Sequence, residues 1–162
     1  MNKQEYITAY LISYKDFSDS WKWTTKIACR CIQLWTRSKY FHTELHLDGY
    51  RITSHTSKGV TVIKRRYNIE YLEQYADIKE IQIPKENVEF IISFANTQKG
   101  KSYDWKGIWL SQFLPLGKHN TNKWFCTEIV AEILKFSGLN NITEDSNRYN
   151  PGSFQELFKG RG

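Results

Sequence analysis

The chain has 162 residues, 40% hydrophobic, 15% aromatic and 25% charged, which excludes a disordered chain and leaves one domain, residues 1–162, as the expectation. No apolar run approaches the roughly 20 residues of a membrane-spanning helix and "MNKQEYITAY" lacks the apolar block of a signal peptide, so a cytoplasmic protein with no transmembrane segment is expected. Lys plus Arg number 23 against 17 Asp plus Glu, a net +6, which favours anionic partners; yet the cations come in short clusters ("IKRRY", "KGK", "GKH"), so no specific nucleic-acid binding is expected.

In chain order, "YITAYLISY" (Tyr6 to Tyr14) is β-branched and aromatic, a strand. After the turn-forming "KDFSDS", Ile27, Ala28, Cys31, Ile32 and Trp35 recur at three-to-four-residue spacing. They predict an amphipathic helix from about Trp21, with Ser18, Asp19 or Ser20 as N-cap, Cys31 on the buried stripe and Cys29 off it. The three cysteines, Cys29, Cys31 and Cys126, are expected as reduced thiols. Next come two short runs joined by Asp48-Gly49, a strand "GVTVIKR" at 59–65, a tyrosine-rich connection, and "DIKEIQIP" at 77–84, which together imply a small antiparallel sheet. "KENVEFIISFANTQKG" predicts a helix from about Glu86 stopped by Gly100. "SYDWKGIWLSQFLPLGKHN" is aromatic and ambiguous between helix and loop. "WFCTEIVAEILKFSG" predicts a helix with Ile129, Val130, Ile133 and Leu134 inward, ended by Gly138, and "NPGSFQELF" a short helix with Pro151 in its first turn.

The Asp-Gly pair is a strong hairpin signal. A two-residue turn there pairs Leu47 with Tyr50, Leu45 with Ile52, Glu44 with Thr53 and His42 with His55. Alternation then puts Leu45, Leu47 and Ile52 on one face and His42, Glu44, His46, Arg51, Thr53 and His55 on the other. A polar face that simply meets water accounts for the histidines equally well, were it not for Cys126. That residue opens the last long helix on the same stripe as Ile129, Val130 and Ile133, so it points inward at a helix N-terminus, where N–H groups and the helix dipole favour a thiolate. A thiol so placed, a histidine from a neighbouring sheet and a polar group steering that histidine are what cysteine hydrolases and acyltransferases require. Taken singly, a buried cysteine is more often inert packing.

The motifs His-x-Glu on a strand followed by Gly-Val ("SKYFHTELHLDGYRITSHTSKGV"), Tyr-Asp-Trp ("KSYDWKG") and Phe-Cys-Thr-Glu opening a helix ("WFCTEIVAEIL") occur in that order. Over about Tyr6 to Leu139 the chain resembles the permuted papain-like enzymes of the NlpC superfamily, especially the YiiX/YaeF-type amidases, and more distantly the lecithin retinol acyltransferase group. The resemblance implies an α+β, permuted papain-like fold: a small antiparallel sheet packed on helices, the catalytic cysteine at a helix N-terminus. It implies Cys126 as nucleophile and His42 as general base. The third group matches His55, with Glu44 the competing candidate, and His46 lies further off as an exposed residue. Tyr103 is a candidate for lining the site or donating to the oxyanion, while Glu128, Asp104 and Trp105 have structural readings.

The resemblance thus leads to a cysteine amidase, peptidase or acyltransferase that works without a cofactor. Its substrate would be a peptide, a modified protein or a lipid or other acyl compound, and Lys118, His119 and Lys123 hint at an anionic group on it. Two alternatives stand beside this. Zinc bound by His42, His46 or His55 with Cys126 or Glu44 lacks a close-spaced CxxC or HExxH motif. A non-catalytic papain-like binding module would have no need of both Cys126 and His42.

Overall fold

The computed structural model describes residues 4–65, 68–103, 123–139 and 142–158. Asp104, Trp105, Lys118, His119 and most of the ambiguous aromatic stretch lie outside them, as do Arg66 and Tyr67 of the "IKRRY" cluster. Five strands, β1 (Tyr6–Tyr14), β2 (His42–Leu47), β3 (Tyr50–His55), β4 (Gly59–Lys64) and β5 (Ala76–Pro84), form one sheet in the order β4-β3-β2-β1-β5. Every pairing is antiparallel. The helices are α1 (Trp23–Thr36), α2 (Ile69–Glu73), α3 (Lys85–Gln98), α4 (Cys126–Lys135) and α5 (Pro151–Glu156), with a 3-10 turn at Ser146–Arg148. The architecture is α+β, and no helix among the described residues is long and apolar enough to cross a membrane.

Local chemistry sets the hairpin. Asp48 and Gly49 both have positive φ, 48° and 74°, as a two-residue turn matched to strand twist requires. The predicted pairs Leu45 with Ile52 and Leu47 with Tyr50 are the observed register. Leu45, Leu47 and Ile52 therefore point to the face covered by α3, α4 and α5, where they join Leu11, Ile83, Ile91, Ile129, Ile133 and Phe154 in the larger core. The other face carries a smaller, aromatic core of Ile12, Tyr14, Ile32, Phe41 and Ala76, bordered by α1 and by Ile69 and Leu72 of α2. The helix α2 falls within the stretch expected only as a connection.

Gly59 holds the entry to α4 against the sheet. Its φ is +64° and a Cβ there would meet the Lys101 carbonyl oxygen at 2.0 Å, so only glycine permits the close approach. Val60 N–H donates to Lys101 O at 2.9 Å, and Trp124 N–H in turn donates to Ser102 O at 3.1 Å. Ser54 Oγ donates to Trp124 O at 2.7 Å. These bonds tether both Tyr103 and the first turn of α4 to the same end of the sheet.

The orientation of α1 corrects the expectation. Cys31 is exposed and Cys29 half-buried, the reverse of the periodicity argument, and only Ile32 and Gln33 are buried. The helix has apolar residues around most of its circumference, so spacing did not single out one face. Gln33 orients it instead, since its side-chain amide donates to the main-chain oxygens of both Lys15 and Lys39. Nor do Ser18, Asp19 or Ser20 cap it: the N-cap is Lys22, with no side-chain bond, because Trp21 N–H closes a turn onto Ser18 O first.

Candidate active site

His42 opens β2 with its ring on the α1 face of the sheet. It stacks on His55 with centroids 5.2 Å apart and lies 5.8 Å from the Tyr14 ring. Its Nε2 is 3.2 Å from Thr53 Oγ1, whose own proton goes to Thr43 O at 2.9 Å. With that proton spent, the Thr53 hydroxyl can only accept, so His42 carries its hydrogen on Nε2 and leaves the Nδ1 lone pair open. Burial pushes the His42 imidazole down to about 3, helped by His55 and Arg51 and opposed by Glu44. It rests neutral, which is the form a general base needs.

Glu44 belongs to a different network on the same face. Fully buried, it accepts from the Tyr14 hydroxyl, from Arg51 Nε and from His46 Nε2, the last at 3.3 Å. Burial alone would raise its carboxyl; the His46 bond and the Arg51 charge, with the neighbouring imidazoles, outweigh that and hold it at about 2. His46, expected to be exposed, is 6% exposed and a partner in this network. Arg51 also donates to His55 Nε2 at 3.3 Å, so His55 carries its proton on Nδ1. Burial and the Arg51 charge both lower His55.

Cys126 is 1% exposed, the first residue of α4, in a small cluster with Tyr103 and Phe125 against Trp35. The main-chain groups of Thr43 and Thr127 and the hydroxyls of Thr127 and Tyr103 all act on its titration. All of these favour the thiolate, yet burial outweighs them and the thiol is raised. The thiolate expected from the helix terminus is therefore not the resting form, because the same packing that points the sulfur inward removes its solvent. Among the described residues Cys126 and His42 make no hydrogen bond; His42 bonds to Thr53 and the sulfur lies 3.9 Å from Thr127 Oγ1. Glu128 accepts from Phe125 N–H at 3.3 Å and so caps α4, the structural role expected of it.

A pocket of about 530 Å³ opens on the α1 side, lined by His42, His55, Arg51, Tyr103, Cys29 and Trp21 among others. Tyr103 links pocket and sulfur, and burial followed by the neighbouring Cys126 raises its phenol. Cys29 reaches the pocket from α1, its thiol pushed up to about 11 by burial and by Cys126. Lys123 is half-buried and pairs through its backbone with Ser102; it is not among the described residues lining the pocket. No group of three or more His, Cys, Asp or Glu among the described residues has metal-holding geometry.

Thr53, Arg51 and Tyr14 are the participants that residue type did not single out. The hairpin register already placed Thr53 and Arg51 on the histidine face, and the hydrogen-bond inventory of a threonine hydroxyl was the available signal. No protein-family model and no curated protein matches this chain.

Proposed function

We propose that this chain is a cysteine hydrolase or acyltransferase of permuted papain-like architecture, with Cys126 as nucleophile and His42 as general base. One observation carries the reading: Tyr103 packs with Cys126 in one buried cluster and lines the same pocket as a neutral His42, whose Nδ1 is left open by its bond to Thr53. In the reaction the thiol proton passes to Nδ1 as sulfur attacks an amide or ester carbonyl. The Tyr103 hydroxyl and the Thr43 amide are donors for the resulting oxyanion. The imidazolium then protonates the departing amine or alkoxide, leaving an acyl-thioester that water, an amine or a hydroxyl resolves. Thr53 takes the orienting role through Nε2, and His55 shields the ring by stacking.

Labelling with an acyl-type thiol probe, mapped by mass spectrometry, tests this. Cys126→Ala should abolish specific labelling and His42→Ala should slow it roughly 100-fold or more. Equal labelling of all three cysteines would sink the reading. A second reading has its own observation: Cys29 lines the same pocket as His42. A label found on Cys29, and lost in Cys29→Ala while Cys126→Ala keeps it, would move the nucleophile there.

A further inference from the structure

The outward face of α1 departs from ordinary surface chemistry. Trp23, Ile27 and Leu34 are 71%, 53% and 79% exposed, and Cys31 between them is exposed too. At about 100° per residue these four fall within an arc of about 80°, a continuous apolar stripe along all four turns. Lys26, Arg30 and Arg37 follow along one edge of that arc. From Ser20 to Thr43 the chain holds five Lys or Arg, at 22, 26, 30, 37 and 39, and no Asp or Glu. Asp77 pairs with Lys39, which leaves Lys26, Arg30 and Arg37 to set the charge of this face.

We infer that the outer stripe of α1 docks this protein on an anionic lipid bilayer, Trp23, Ile27 and Leu34 entering the interface while Lys26, Arg30 and Arg37 meet the headgroups. The pattern is that of a helix lying in the interface plane: an apolar face with an aromatic residue, cations beside it and no acid to repel an anionic surface. At 14 residues the helix is about 21 Å long, too short to cross the roughly 30 Å hydrocarbon layer, so it lies on the membrane. A soluble partner protein would account for the apolar stripe but not for the absence of any acid over 24 consecutive residues. The inner side of the same helix supplies Lys22, Thr25, Cys29 and Ile32 to the pocket wall, so docking brings the pocket close to the headgroup layer. The inference does not depend on which thiol reacts, or on whether any does.

Co-sedimentation of the full chain with vesicles of pure phosphatidylcholine and of phosphatidylcholine with 30% phosphatidylglycerol tests it. The native protein should partition onto the anionic vesicles, less so as salt rises. Ile27→Gln with Leu34→Gln should reduce partitioning at least tenfold while the thermal melt stays unchanged, since both side chains face solvent. Arg30→Gln and Arg37→Gln should each weaken binding roughly fivefold on anionic vesicles only. Absence of binding to anionic vesicles, or binding indifferent to the Ile27 and Leu34 changes, would overturn the proposal. So would concentration-dependent dimerisation or single-stranded RNA binding that removes the stripe from lipid and is itself lost in the Ile27→Gln/Leu34→Gln variant.

Discussion

On one side of the sheet α4 buries eight of its ten residues, and Ile129, Val130, Ile133 and Leu134 share one mainly aliphatic core with Leu45, Leu47 and Ile52. On the other side α1 buries two of fourteen, and the strands beneath present His42, Glu44, His46, Thr53 and His55 beside a pocket. A strand residue shifted by one position moves from one of these worlds to the other. The aliphatic side concentrates the stabilising burial, and that rigidity allows the polar side to hold neutral histidines and an ionised carboxylate at fixed spacing. Cys126 belongs structurally to the first side and, through Tyr103 and the Thr43 main chain, chemically to the second.

Several changes break or sharpen the contrast. Glu44→Ala removes the acceptor shared by Tyr14, His46 and Arg51, and should cost about 3–5 kcal/mol in urea unfolding because it strands buried donors; a loss under 1 kcal/mol would show the network to be solvated. On the aliphatic side, Ile129→Ala should cost about 2–5 kcal/mol with no loss of sheet signal by circular dichroism. Acid separates the sides without mutation. His42 and His55 have folded-state values below the unfolded histidine range, so the unfolded chain binds more protons. Stability is then full above pH about 6.5 and falls as pH drops toward about 3. Glu44, held at about 2, adds loss in the same direction below pH about 4.5. His42→Phe should flatten the upper part of that profile; an unchanged profile would place the acid sensitivity elsewhere. The smallest effect belongs to Ile27→Ala on the outer stripe of α1, within about 0.5 kcal/mol in unfolding, since more than half of that residue is exposed.

Legibility in the sequence tracks the kind of force involved. The hairpin register followed from Asp48-Gly49, because a two-residue turn leaves one way to pair its strands, and this put Glu44, His42 and His55 on one face. The ends of α3 and α4 followed from Gly100 and Gly138, both at positive φ, 83° and 77°. The rotation of α1 did not follow, because Ile27, Cys31, Cys29 and Ile32 offer similar hydrophobicity in every direction and the choice fell to Gln33. His46 was misjudged as exposed, because alternation tells which face a side chain takes and not what lies above it. The partner of His42 is not legible for a related reason: alternation places Thr53 on the same face, but its role depends on where its own proton goes.

The local code of this chain, its turn residues, helix stops and two-residue alternation, decided which segments form strands and helices and which side chains share a face. Those choices rest on dihedral preferences and on neighbours a few residues away, so they can be deduced from the order of amino acids. Only the tertiary structure decided that α1 turns Cys29 partly inward and leaves Cys31 outside, that Thr53 holds His42, and that the Cys126 thiol stays protonated. Each of these is a contest between groups distant in the chain, settled by desolvation and by which donor reaches which acceptor once the layers have packed.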